Sequence, residues 1–163
     1  MYEPRILSWE QAAALRHQYR KTGDSLVMTN GVFDVLHRGH AEYLAKAAEY
    51  GNHLWIALNS DESVRRLKGD KRPLVSLLDR AYLLNAFRFV DGIVPFDQDT
   101  PRELYALLLP DVLVKGADYT VDQIAGAKEV IANGGRVERV DLIPEKSTTG
   151  LIERIIERYG KGA

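Results

Sequence analysis

The sequence predicts an α/β fold, with one parallel five-stranded sheet covered by helices on both faces. Three observations carry this reading. Apolar, strand-like runs alternate with helical stretches roughly 20 to 30 residues apart, the spacing of βαβ units with right-handed crossovers. The first such run passes straight into a glycine-bearing loop that opens a helix, Thr29 to His40. A chain of 163 residues, 45% hydrophobic and 28% charged, is enough for one well-packed core. We therefore expect a single domain over 1–163, with residues 1–24 as a helical lead-in packed on it.

Taken in order, Ser8 is placed to cap a helix from Trp9 to Thr22 that stops at Gly23 and carries Ala12, Leu15 and Tyr19 at helical spacing. Leu26 to Met28 suit a buried strand, and a helix follows from about Gly39 to Tyr50, closed by Gly51. His53 to Asn59 reads as the second strand, Glu62 to Leu67 as a helix, and Lys68 to Pro73 as a polar, basic loop that could act as a lid. From Leu77 to Phe89 the pattern is helical, with Leu78, Tyr82, Leu83 and Ala86 expected inward, and Val90 to Pro95 gives the third strand. Asp99-Thr100-Pro101 starts a helix with Leu104 to Leu109 as its body, and Pro110 breaks it before a fourth strand, Val112 to Lys115. Val121 to Asn133 reads as one helix ending at Gly134-Gly135, Arg136 to Asp141 as the fifth strand and Thr148 to Tyr159 as the last helix.

The charge balance excludes several classes. A formal net charge of −1 supplies no basic field for nucleic acid or an anionic membrane. There are no cysteines, hence no disulfides and no thiolate chemistry, which fits a reducing, cytoplasmic address. Neither a secretory leader nor an apolar run of membrane-spanning length is visible.

Function concentrates in Thr29-Asn30-Gly31-Val32-Phe33-Asp34-Val35-Leu36-His37-Arg38-Gly39-His40. The positive end of the helix that starts there favours an anion, His37 and His40 share one face of its first turn, and Gly39 leaves room for a phosphate. Capping of an ordinary helix is the plainer alternative for the two histidines. In parallel sheets ligands bind beyond the carboxyl ends of the strands. That rule gathers Asn30 to Asp34, Asn59 to Asp61, Lys115 to Asp118 and Pro144 to Thr149 on one rim. Gly116 would allow a flat base to approach closely, and the planar fork of Arg80 would suit a phosphate unless it serves a structural ion pair. Asp34 could orient a sugar phosphate or Mg²⁺, or simply cap the helix.

The run Gly-Val-Phe-Asp-Val-Leu-His-Arg-Gly-His resembles the signature of the HxGH nucleotidyltransferases, the cytidylyltransferase-like family. The resemblance implies a Rossmann-like nucleotidyltransferase domain in which Gly31, Val32, Phe33, His37, Gly39 and His40 hold the α-phosphate of a nucleoside triphosphate. It also implies a phosphate-binding lysine at Lys68, base and ribose contacts at Lys115 and Gly116, and a Ser147-Thr148-Thr149 signature for the β- and γ-phosphates. His37, His40 and Lys68 are then the catalytic residues, and Asp34, Lys68 and Arg80 the acceptor-side ones. An arginine that cytidylyltransferases carry before Ser-Thr-Thr is missing here, leaving Lys146 or Lys115 to replace it and weakening CTP as the nucleotide.

Met-Thr-Asn-Gly-Val-Phe-Asp, Arg-Leu-Lys-Gly-Asp-Lys-Arg-Pro, Leu-Val-Lys-Gly-Ala-Asp-Tyr and Lys-Ser-Thr-Thr together look most like the adenylyltransferases of bacterial ADP-heptose synthesis. That likeness implies transfer of AMP from ATP, with Mg²⁺, to D-glycero-β-D-manno-heptose 1-phosphate, and a place in lipopolysaccharide biosynthesis. Another acceptor such as glycerol 3-phosphate or FMN, or a non-catalytic nucleotide-binding module, are the alternatives. A homodimer or higher homo-oligomer is implied, with Phe87 and Phe89 on adjacent faces of the helix around Leu83 to Phe89 so that one is left for a partner, together with a separate heptose kinase upstream.

Overall fold

The computed structural model describes residues 3–141 and 147–160; Pro144, Glu145 and Lys146, named above for the rim and as a substitute for the missing arginine, lie outside them. The strands are β1 (Leu26–Gly31), β2 (His53–Asn59), β3 (Gly92–Phe96), β4 (Val112–Gly116) and β5 (Arg136–Val140). The helices are α1 (Trp9–Thr22), α2 (Arg38–Ala48), α3 (Asp61–Lys68), α4 (Leu77–Asn85), α5 (Arg102–Leu108), α6 (Ala127–Ala132) and α7 (Thr148–Tyr159). All strand pairs are parallel and the order is β3-β2-β1-β4-β5, so the chain reverses direction across the sheet at β1 and β4.

Side chains alternate along the strands and feed two cores. Met28, Trp55, Ala57 and Leu113 face α1, α5 and α6, while Val27, Leu54, Ile56, Leu58, Val112 and Val114 face α2 and α4. β2 is buried from Leu54 to Asn59, as a central strand covered on both faces must be. The lead-in helix is pinned by a buried arginine. Arg16 donates through Nε to Leu108 O (3.2 Å), through Nη2 to Leu109 O (2.8 Å) and through Nη1 and Nη2 to Asp111 (2.8 and 2.9 Å). These carbonyls end α5, where Leu109 takes a left-handed conformation (φ 44°) unusual for a branched residue. Asp111 also accepts from Leu26 N, so one ion pair ties α1, the end of α5 and the start of β1.

Three local expectations are corrected. The helix over Leu77 to Phe89 ends at Asn85, with tight turns Phe87 N to Leu84 O and Val90 N to Phe87 O. Its inward face is Arg80, Ala81 and Leu84, whereas Leu78, Tyr82, Leu83 and Ala86 are exposed, because Leu-Leu-Asp-Arg-Ala-Tyr-Leu-Leu is apolar on both sides and the buried arginine sets the rotation. Phe87 and Phe89 stack on each other (5.4 Å) and pack, half-buried, against the second core. Val121 to Asn133 is two pieces, a 3-10 turn at Val121–Gln123 and α6, separated by Gly126 at φ 81°. A Cβ at Gly126 would also strike the Tyr105 ring at 2.8 Å.

Replacing Arg16 with leucine should cost about 3 kcal/mol of unfolding free energy, since it strands the α5 carbonyls and Asp111. Urea denaturation reads this directly, and a loss below about 1 kcal/mol would contradict the pinning role.

Candidate active site

At the carboxyl ends of the strands lies a cleft of about 630 Å³. It brings together Gly31, Val32, Phe33, Asp34, His37, Gly39, His40, Lys68, Lys115, Gly116, Ser147, Thr148 and Thr149, every site residue expected from the sequence except Arg80.

His37 is the N-cap of α2 and its Nδ1 accepts from Gly39 N at 3.1 Å; Nδ1 of His40 accepts from His37 N at 3.4 Å. With each Nδ1 an acceptor, each neutral imidazole carries its proton on Nε2. The rings stack at 3.9 Å and 21°, and Phe33 sets its edge against His40. Burial, with the neighbouring His37 adding to it, pulls His40 down to about 4, so at neutral pH it is an uncharged donor. The amides of Gly39 and His40 are used inside the cap, so the donors offered to a ligand are the imidazoles more than the backbone.

The loop ahead of the histidines is held under strain. Phe33 and Val35 both have left-handed backbones (φ 49° and 52°), costing about 1 kcal/mol or more each. A Cβ at Gly31 would strike the Phe33 ring at 2.8 Å, so glycine is required for the ring to fold back beneath His40. Asp34, between the strained residues, has a fully buried carboxylate that accepts from Arg72 Nε (2.6 Å), Leu74 N (2.9 Å) and Val75 N (2.9 Å). Burial pushes that carboxyl up, and the donors from Leu74, Arg72 and Val75 outweigh it and hold it below its ordinary value. Asp34 is therefore committed to the Arg72 to Val75 loop, which corrects the expectation that it meets the sugar phosphate or Mg²⁺. Its carbonyl accepts from Thr148 Oγ1 at 2.8 Å, docking the start of α7 on the same loop.

Arg80 is also corrected. It is 1% exposed and donates to Val75 O, Val32 O, Asn59 O and Asp61 Oδ1 at 2.6 to 3.0 Å, so it clamps the loops after β1 and β2 from behind the cleft. Lys68 ends α3, one residue further into the helix than expected, and forms no hydrogen bond or ion pair among the described residues. Lys115 Nζ donates to Asn30 O (3.3 Å) and lies 5.0 Å over the Tyr119 ring; burial lowers it to about 8 against the opposing charge of Asp118. Ser147 caps α7 by accepting from Gly150 N, and Thr149 lines the cleft.

Sequence reasoning missed Tyr43 and gave Arg72 no role of its own. Tyr43 sits one turn beyond His40, a spacing that could have been read, and it bonds Thr29 and Val114 O at the cleft floor. Among the described residues no three His, Asp or Glu side chains cluster, and the Asp34 carboxylate is occupied by Arg72, Leu74 and Val75.

The bifunctional protein HldE of Syntrophotalea carbinolica is 48% identical over 161 residues, 99% of this chain and 33% of the relative. That of Erwinia tasmaniensis is 50% identical over 156 residues, 96% of this chain and 33% of the relative, so the chain spans about a third of the length of these relatives. The crystal structure of the lipopolysaccharide core biosynthesis protein from Thermoplasma volcanium GSS1 superposes with a TM-score of 0.61 at 26% identity, covering 76% of this chain and all of that one. Residues 28–152 match the profile described as cytidylyltransferase-like, and with the paired imidazoles at the head of α2 this chain belongs to the cytidylyltransferase-like family of nucleotidyltransferases.

Proposed function

We propose that the cleft transfers AMP from ATP to D-glycero-β-D-manno-heptose 1-phosphate, releasing pyrophosphate and ADP-heptose. The observation that carries the transfer chemistry is the stacked His37–His40 pair at the start of α2, each ring accepting a backbone N–H at Nδ1 and so presenting its Nε2 edge for donation. An oxygen of the sugar phosphate attacks the α-phosphorus, the bond from that phosphorus to the bridging oxygen breaks, and the electron pair leaves with pyrophosphate. The attacking oxygen is already anionic at neutral pH, so the step needs no base. Negative charge grows on the α-phosphate oxygens as phosphorus becomes five-coordinate, and the imidazoles meet it with donors worth about 3 to 4 kcal/mol each. In this reading Lys68, which lines the cleft, bridges the phosphates of the two substrates, the start of α7 offers its positive dipole end to the departing pyrophosphate, and Mg²⁺ arrives with ATP as part of the substrate.

The heptose acceptor rests on the motifs shared with ADP-heptose adenylyltransferases. It is supported by relatives that are called bifunctional and are three times as long, and by a structural neighbour named for lipopolysaccharide core biosynthesis. The sugar 1-phosphate is then a kinase product supplied to this domain. Self-association, cytoplasmic location and absence of nucleic-acid or membrane partners belong to the same reading; no helix among the described residues is long and apolar enough to cross a membrane.

His37→Ala or His40→Ala should lower kcat by about two to three orders of magnitude with the melting temperature little changed. Near-normal turnover in both would sink the assignment. Lys68→Ala should cut kcat/KM strongly, and protease should nick Lys68 to Arg72 faster without ATP than with it. These 163 residues should form ADP-heptose from heptose 1-phosphate and ATP, and none from heptose 7-phosphate and ATP; the reverse pattern refutes the acceptor.

His40 also predicts a pH dependence. Its folded value near 4 lies below the ordinary 6.5, so the unfolded chain binds more protons between those values. This contribution to stability is complete above pH 6.5 and drains away as pH falls towards 4. Urea titrations at pH 7 and 4.5 should show a smaller difference for His40→Asn than for wild type.

A further inference from the structure

Resting on the adenylyl-transfer reading, we infer that Arg72 grips the phosphate of the sugar acceptor, with the buried Asp34 carboxylate as its positioning residue. Asp34 engages only Nε of the guanidinium. Both terminal nitrogens have no hydrogen-bond partner among the described residues, although the side chain is 20% exposed and lines the cleft. An arginine held by its inner nitrogen presents its outer N–H groups in a fixed plane, the geometry that takes two oxygens of a phosphate at once. Asp34 is itself over-determined by Leu74 N, Val75 N and the Thr148 bond to its carbonyl, so the fork is aimed before any ligand arrives.

The position of Arg72 decides which phosphate it takes. The sheet order sets two sides of the cleft, with β4 on one side of β1 and β2 on the other. Towards β4 lie Gly116, the Tyr119 ring and the aliphatic stem of Lys115, walls suited to a flat base. Towards β2 lie Asn59, Lys68, Arg72 and Asp99, hydrogen-bonding and charged groups suited to a polyhydroxylated, phosphorylated acceptor. Arg72 stands on the second side. This is the contact expected of Arg80, whose guanidinium is spent on carbonyls behind the cleft.

The test is steady-state kinetics in both directions on wild type, Arg72→Gln and Arg72→Lys, with heptose 1-phosphate and ATP forward and ADP-heptose and pyrophosphate in reverse. Loss of a bidentate contact to a charged phosphate should raise KM for heptose 1-phosphate by about 30- to 100-fold in Arg72→Gln. KM for ATP and for pyrophosphate should stay within about threefold. Arg72→Lys, which keeps the charge and loses the fork, should fall between, with a melting temperature near wild type if the Asp34 contact survives. An unchanged acceptor KM in folded variants would overturn the inference, as would a parallel rise in KM for ATP and pyrophosphate, which would place Arg72 on the leaving group. A wild-type chain that releases no pyrophosphate would instead overturn the reading on which the inference rests.

Discussion

The buried carboxylate of Asp34 is the constraint on which the site depends. It is flanked by two residues in left-handed conformations that neither phenylalanine nor valine adopts readily, and an uncompensated charge there would be expelled. Its hydrogen bonds to Arg72, Leu74 and Val75 hold it in place, and through its carbonyl it fixes the head of α7. The strained turn in turn sends Phe33 back under His40 and delivers His37 to the cap of α2. Backbone strain, buried charge and the placement of the histidines thus meet at one residue, which the amides of Leu74 and Val75 and the Thr148 hydroxyl also hold.

Arg80 does similar work from behind. It gathers carbonyls after β1 and β2 and ahead of α4, groups that no helix or strand would otherwise satisfy. The cleft therefore rests on two buried ion pairs, Asp34–Arg72 and Asp61–Arg80, each stitching one loop to another. Removing one partner from such a pair is costly because the remaining charge is left without water. Rigidity of this kind suits a reaction in which the protein moves no proton and contributes chiefly alignment and fixed donors.

Most of the architecture was legible because the strands are bounded by turn residues and most helices start at a side-chain cap, α5 and α6 being the exceptions. Ser8, Ser60, Ser76 and Ser147 all cap where a helix starts, and the histidines fell on one face of α2 because three residues make nearly one turn. What stayed hidden depended on tertiary partners. Leu78 and Leu83 have the hydrophobicity of core residues, and only the carbonyls awaiting Arg80 decide that α4 turns them outward. Arg72 and Arg80 are alike in a string of letters; one has its fork filled by carbonyls of the fold and the other has its outer nitrogens left over. Asp34 reads equally as a cap, a ligand or an anchor until the amides of Leu74 and Val75 are seen to converge on it.

The bond from Thr148 to Asp34 joins residues 114 positions apart in sequence. A ribosome makes the histidine loop long before it makes the helix that completes the cleft, so throughout most of synthesis the domain holds half a site. A nascent domain can build much of its sheet, yet the wall of the cleft formed by Ser147, Thr148 and Thr149 is in place only once α7 docks on the histidine loop.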